Sequence, residues 1–313
     1  MSTPSHSTVQ RDKAAGEARI HEPVMAGEVT QILSLGRPLR IVDATVGTGG
    51  HAAALLAAAP ASACLLGLDR DRTALTVAAQ VLSRFGSRVI LHHGDFADLA
   101  PALARAGFAE IDALLVDLGM SSFALDNPAR GFSLRLDGPL DMRMDQESPD
   151  CAADLVNQAS EAELARIIWA YGQEPAARRI ARAIASARRR RPITTTGELR
   201  SVVERARGRA RHGRIHPATR TFQALRIAVN GELERLSWLL EKAPGLLSAG
   251  GRMAVIAYHS LEDRPVKKRF FELAASAGFT MPAGRLLRPG AAEMARNPRA
   301  RSARLRCLER VAA

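Results

Sequence analysis

The stretch Asp43-Ala44-Thr45-Val46-Gly47-Thr48-Gly49-Gly50-His51 decides the fold. It follows the β-like run Arg40–Val42 and leads into an Ala- and Leu-rich segment, so it reads as the turn from a first strand into a helix. Glycines there accept positive φ and let a ligand approach the backbone closely. In a parallel sheet this is a nucleotide-type cleft at the carboxyl edge. Gly47-x-Gly49-x-x-Ala52 satisfies the relaxed dinucleotide pattern, so the glycines alone do not separate a nicotinamide cofactor from S-adenosylmethionine. Asp43 tilts the balance to the latter, because a carboxylate just before the glycines suits a methionine ammonium and repels a pyrophosphate.

Outward from this turn, β-like runs at Arg40–Thr45, Cys64–Asp69, Arg88–His92 and Ala113–Leu118 alternate with helical stretches at His51–Ala59, Arg72–Phe85 and Ala97–Ala106. That alternation is the pattern of βαβ units. Regularity breaks from Gly119 to about Pro149, a loop long enough to be functional or disordered. Helices are expected at Ala152–Asn157, Glu161–Tyr171, Glu174–Arg191 and Thr196–Arg207, with capping-box spacing at Ser160-x-x-Glu163 and Thr195-x-x-Glu198. A long helix from Ala218 to Glu241 then leads through Ser248–Gly251 into a strand at Arg252–Tyr258, a helix at Pro265–Ser276 and a β-like run at Arg304–Leu308. The expected architecture is an α/β sheet domain interrupted after its fourth strand: a flexible tail (1–20), a first sheet part (21–120), an inserted loop and helical domain (121–215), and a second sheet part (216–313).

The composition, 313 residues with 47% hydrophobic and 24% charged, is that of an ordinary globular protein and argues against a disordered chain. The longest apolar run, Ala52–Ala59, is far short of the ~20 residues of a membrane span. The polar start, Met1–Arg19, does not read as a signal peptide, so a cytoplasmic protein without a membrane partner is expected. Cys64, Cys151 and Cys307 are too scattered for a disulfide framework or a zinc site, and no metal is expected. The net charge of +12 is segmental, with residues 178–220 holding 14 Arg against 2 Glu. That segment is a candidate polyanion footprint, or else a solvated basic helix face.

Three further strand ends supply candidate site residues. Asp69, about 20 residues beyond the glycines, suits ribose hydroxyls, while Asp71 reads equally as a helix N-cap. Phe96 in His93-Gly94-Asp95-Phe96 offers a face to an adenine, or plugs the core. Asp117 in Asp117-Leu-Gly-Met-Ser-Ser122 ends the fourth strand and faces the same cleft. Methyl transfer to an amine is mostly positioning, and a carboxylate there could take amine protons or simply cap the strand.

Asp117-Leu-Gly-Met-Ser-Ser stands beside His21-Glu-Pro-Val, Arg130-Gly-Phe-Ser, Asp137-Gly-Pro-Leu-Asp-Met-Arg-Met-Asp145, His216-Pro-Ala-Thr-Arg-Thr-Phe-Gln-Ala-Leu-Arg226 and Tyr258-His-Ser-Leu-Glu-Asp-Arg264. Together, from about His21 to Arg310, they resemble the ribosomal RNA small subunit methyltransferase H family, also called MraW. The resemblance implies a Rossmann-like S-adenosylmethionine-dependent methyltransferase sheet with an inserted helical domain. It also implies methylation of the N4 amine of a cytosine in the decoding region of bacterial 16S rRNA. The expected partner is 16S rRNA within the 30S subunit, with a homodimer as one assembly to test. The family's cofactor positions fall on Gly49, Gly50, His51, Asp69, Phe96 and Asp117. Where the family commonly has Gln after the double serine, this chain has Ala124.

Asp117 and His259 are the candidate catalytic residues, and Arg220 and Arg226 are candidates for RNA phosphates. Asp141, Arg143 and Asp145 either pair internally or serve the site. Two other readings stay open: a nicotinamide dehydrogenase, which lacks a hydride-transfer constellation, and a noncatalytic ribosome-assembly factor, encouraged only by Ala124.

Overall fold

The computed structural model describes residues 23–37, 39–207, 216–276 and 278–311; the expected tail, His21, Glu22, Arg209, Arg211 and Arg214 lie outside them. Five parallel strands, β1 (Arg40–Asp43), β2 (Cys64–Asp69), β3 (Val89–His93), β4 (Ile111–Asp117) and β5 (Leu247–Ala257), lie in the order β3-β2-β1-β4-β5. β6 (Phe279–Thr280) and β7 (Arg304–Arg310) extend the sheet to seven strands, with β7 antiparallel on β5 and β6 at the edge. β1 pairs β2 on one side and β4 on the other, so the chain reverses direction across the sheet there. Such a switch point opens a crevice at the carboxyl ends of the strands. This is a Rossmann-like α/β sheet.

Successive strand residues point to opposite faces, and each face has its own core. Ile41, Leu65, Leu115 and Ile256 face helices α1 (Ala26–Leu33), α2 (Gly50–Ala58) and α3 (Arg72–Leu82). Val42, Leu66, Leu114 and Val255 face α4 (Leu99–Ala106) and two later helices. Burial on both faces explains why these strands read as continuous apolar runs. A third core joins the short α5 (Ser122–Asp126), α6 (Ala152–Gln158), α7 (Glu161–Gly172), α8 (Ala177–Arg188), α9 (Thr196–Arg207) and α10 (Thr219–Asn230) through Ile168, Ile180, Ile184, Leu199 and Phe222. Thr195 and Glu198 make both halves of the expected capping box, whereas Ser160 accepts from the Glu163 amide at 3.1 Å.

Several boundaries differ from the sequence reading. The single helix expected from Ala218 to Glu241 is two, because Gly231 at φ 57° ends α10 and opens α11 (Glu232–Lys242). Glycine takes that left-handed position without the Cβ clash that would keep another residue helical. β5 begins at Leu247 rather than Arg252, with Gly250 at φ 69° where the register against β4 shifts. α12 (Ser260–Ala275) begins five residues before Pro265, and α13 (Ala291–Arg296) lies where no element was expected. Among the described residues no helix is long and apolar enough to cross a membrane.

The amino ends of β1, β4 and β5 are clamped by Asp112, which accepts from the Arg40 amide (2.8 Å), the Arg40 guanidinium (2.9 Å) and Ser248 Oγ (2.6 Å). Although burial opposes its charge, these donors hold its carboxyl down at about 2. The opposite, carboxyl edge is thereby left to the loops that carry chemistry.

Candidate functional site

The glycine turn is wired to the end of β2. Gly47 (φ 52°) donates its amide to Asp69 Oδ2 at 2.8 Å, and the Asp71 amide takes Asp69 Oδ1 at 2.8 Å. Burial pushes the Asp69 carboxyl up, and these amides work against that. Asp69 therefore shapes both loops that frame the crevice. At Gly49 (φ 89°) a Cβ would lie 3.2 Å from Leu82 Cγ, so glycine also permits the close approach of α2 to α3.

Asp43, His51 and Asp117 meet beneath this turn. Asp43 is 1% exposed; its Oδ1 accepts from the Thr45 amide at 3.2 Å, and its Oδ2 has no partner among the described residues. Burial pushes its carboxyl up to about 7, against the pull of His51 and the Thr45 amide. His51 Nε2 stands 3.5 Å from Asp117 Oδ2, and neither ring nitrogen has a hydrogen bond among the described residues. Burial disfavours the imidazolium, yet Asp117 and Asp43 outweigh it and raise the His51 pKa. Asp117 is fixed twice more: its amide donates to Thr45 Oγ1 (2.7 Å), and its Oδ1 accepts from the Tyr258 hydroxyl (2.8 Å). Burial and the Asp117 charge drive the Tyr258 pKa far up, which keeps the phenol a donor. Gly119, at φ 100°, passes so close to Tyr258 that a Cβ would lie 3.4 Å from the ring.

The Tyr258 side chain, Thr45 and Glu262 carry no assigned role in the sequence reading. Finding the Tyr258 hydrogen bond requires knowing that β4 and β5 are neighbours, which no local pattern states. Glu262 is 2% exposed and caps α12 by accepting from the Tyr258 amide at 2.8 Å and the His259 amide at 3.3 Å. His259 Nε2 lies 3.0 Å from Glu262 Oε1, so the structure places this ring against a buried carboxylate.

Arg226, expected at an RNA phosphate, is instead half-buried and forked onto Glu232 at 2.8 and 2.7 Å, with Glu262 3.8 Å away. Its charge is neutralised internally. Arg220 is exposed and donates to the Gln173 carbonyl at 3.2 Å. In the basic segment, Arg188 donates to the Val156 carbonyl (2.6 Å) and Arg191 pairs with Glu198, whereas Arg189 and Arg190 are exposed.

The loop after β4 is tied down by Arg130, which pairs with Asp71 and donates to the carbonyls of Arg143 and Met144, each at 2.9 Å. Asn230 accepts from the Met144 amide at 2.7 Å and donates to the Met142 carbonyl at 2.8 Å. Arg143 forks onto Asp141 at 2.9 and 2.8 Å, which is the internal pairing of the two alternatives for these residues. Asp145 joins His93 and Glu147 with ligand atoms within 4.8 Å of one another, but Glu147 is held by Arg72 at 2.6 Å and His93 Nε2 lies 3.0 Å from the Arg70 carbonyl. Phe96 is half-buried against the second core, and Ala124 is buried in the third.

The MraW methylase family model matches residues 18–311. The ribosomal RNA small subunit methyltransferase H of Acidothermus cellulolyticus is 50% identical over 315 residues, covering 94% of this chain and 94% of its own length. The protein of that name from Thermomicrobium roseum is 47% identical over 308 residues, covering 93% and 94%, and the one from Sorangium cellulosum is 45% identical over 308 residues, covering 98% and 96%. Matched nearly end to end by the family model and by relatives at this identity, the chain belongs to the MraW methylase family.

Proposed function

We propose that the chain transfers a methyl group from S-adenosyl-L-methionine to the N4 amine of a cytosine in the decoding region of 16S rRNA, within the 30S subunit. Membership of a methylase family whose relatives are named as small-subunit rRNA methyltransferases supplies the coarser activity, methylation of rRNA with this donor. The nicotinamide reading of the glycine pattern falls with it. The observation that carries the finer reading is the carboxylate of Asp117 at the carboxyl end of β4, one oxygen fixed by Tyr258 and the side chain 25% exposed.

The residues present fit the donor. Asp43 Oδ2 and both His51 ring nitrogens are buried without a hydrogen bond among the described residues, Nε2 having only the Asp117 carboxylate 3.5 Å away, and buried polar atoms ordinarily are hydrogen-bonded. The ammonium and carboxylate of an amino-acid moiety would satisfy such a set. Gly49, Gly50 and His51 would hold that moiety, Asp69 the ribose, Phe96 the adenine, and Asp117 would border the transferring methyl. When bound, S-adenosylmethionine supplies an electrophilic sulfonium methyl.

The chain's own residues present the acceptor. A cytosine amine is a poor nucleophile because its lone pair is delocalised into the ring; Asp117, accepting a hydrogen bond from N4–H, encourages pyramidalisation and aims the lone pair. Tyr258 fixes the carboxylate by its donated hydrogen bond, and His259 against Glu262 fixes the start of α12. The proton released after transfer passes to solvent. The loop and helices expected as an insertion at 121–215 stand between the sheet parts and share the third core with α10, which the expected boundary at 216 had left to the second sheet part; with the C-terminal basic segment they grip the RNA while the base turns out of its stack. The protein and labelled donor, incubated with 30S or with 50S subunits lacking base methylation, are expected to label 16S rRNA. Label on the 50S rRNA alone, or none on either in the presence of measurable donor binding, overturns the assignment.

A further inference from the structure

Trp169 is 62% accessible, the most exposed of the large hydrophobic side chains among the described residues. The buried stripe of α7 is Leu164, Ile167 and Ile168, so folding makes no use of the indole. With Ala170, Gln173 and Pro175 it lines a groove of about 330 Å³. This groove adjoins the acceptor side of the site: Gln173 Oε1 accepts from Ser260 Oγ at 3.3 Å, and Ser260 follows His259. Guanidinium groups stand beside it. Arg220 donates to the Gln173 carbonyl at 3.2 Å, Arg178 is exposed on the first turn of α8 just after Pro175, next to Arg179 which donates to the Arg207 carbonyl at 2.7 Å, and the exposed Arg166 lies one turn before Trp169.

An open indole face with exposed guanidinium groups on neighbouring turns offers an unpaired base a surface for its ring and cations for its phosphates. The groove itself is lined by the indole, Ala170, Pro175 and the Gln173 amide, and the arginines beside it supply the charge that favours a polyanion as occupant. We propose that Trp169 is the stacking platform for an unpaired rRNA nucleotide flanking the target cytosine, with Arg220 and Arg178 on its phosphates. This rests on the rRNA methylation reading and adds to it a determinant of which RNA is accepted.

The chain has two tryptophans, and Trp238 packs half-buried against the second core, so full-length Trp238→Phe protein leaves Trp169 as the fluorescent reporter. A single-stranded oligoribonucleotide of decoding-region sequence is expected to quench its emission. Trp169→Ala should raise the Kd for that oligonucleotide about tenfold, the scale of a single base stack, and raise the KM for 30S subunits. The kcat and the donor Kd should stay within about twofold, and Trp169→Phe should recover most of the RNA affinity. Wild-type RNA affinity in Trp169→Ala protein overturns the platform alone. Wild-type protein that neither binds nor methylates RNA overturns the reading beneath it. A sedimentation change in Trp169→Ala at unchanged RNA affinity makes the indole a protein-binding residue and also overturns the platform.

Discussion

The Tyr258 hydroxyl donates to Asp117 Oδ1 across 2.8 Å, joining the carboxyl ends of β5 and β4 at the carboxylate we propose for the acceptor amine. A donor on Oδ1 leaves Oδ2 as the oxygen available to an acceptor proton, with the His51 ring 3.5 Å from it. Tyr258→Phe removes the donor and keeps the ring that packs beside Gly119. A hydrogen bond to a charged group is worth about 1.5–3 kcal/mol, so kcat should fall about tenfold or more. Steady-state kinetics should show the loss in kcat, with the donor Kd little changed; an unaltered kcat would remove Tyr258 from the mechanism.

Asp43 gives a pH dependence whose sign is fixed. Its folded-state pKa of about 7 lies above the ordinary 3.8, so its contribution to stability is complete below pH 3.8 and is lost as pH rises through about 7. Asp43→Asn mimics the protonated form and should not lose stability in that window. Thermal unfolding at pH 5 and pH 8 should therefore show the wild type losing roughly 5 °C relative to the variant. Added donor should narrow the gap, because an ammonium beside Asp43 favours the carboxylate. Parallel pH profiles would contradict this.

Arg130 latches the loop after β4 to the donor half of the crevice, since its partner Asp71 gives its amide to Asp69. Removing one member of a buried pair costs about 3 kcal/mol. Arg130→Met should lower the urea midpoint accordingly, expose residues 131–150 to limited proteolysis and weaken donor binding several-fold. A normal midpoint with normal donor affinity would show that the loop is held elsewhere.

Of the four consecutive arginines 188–191, Arg189 and Arg190 are exposed, whereas Arg188 donates to the Val156 carbonyl and Arg191 pairs with Glu198. Replacing both exposed residues with Ala should reduce the slope of log K against log salt for single-stranded RNA by about 0.7 for each phosphate that is no longer neutralised. The donor Kd should not move. An equal drop in donor affinity would show that the RNA and donor surfaces are one.

How much is legible in the sequence follows from how local each signal is. The glycine turn, the ends of the first four strands and the capping pair Thr195 and Glu198 are written in adjacent residues, and the structure has them close to their expected places. Asp43, Asp69 and Asp117 fall at one edge because parallel strands put their carboxyl ends together. The break at Gly231 escapes a periodicity reading because the apolar spacing runs on through it, and only the left-handed φ separates α10 from α11. Arg226 misleads for a related reason: a charged side chain in a basic stretch reads as surface, and its pairing with Glu232 appears only when α10 and α11 are folded together. Tyr258 on Asp117, Arg130 on Asp71 and Asn230 on Met144 join residues 141, 59 and 86 positions apart, beyond the reach of any periodicity.

We propose that Asp117 presents a cytosine amine to the methyl donor. The most direct test is methyl transfer from labelled S-adenosylmethionine to 30S subunits lacking base methylation, with the product nucleoside identified by mass spectrometry for wild-type and Asp117→Ala protein. The expected result is N4-methylcytidine from the wild type and its loss in the variant, with donor binding retained within about tenfold. A different methylated nucleoside, or N4-methylcytidine formed at an undiminished rate by Asp117→Ala, would contradict it.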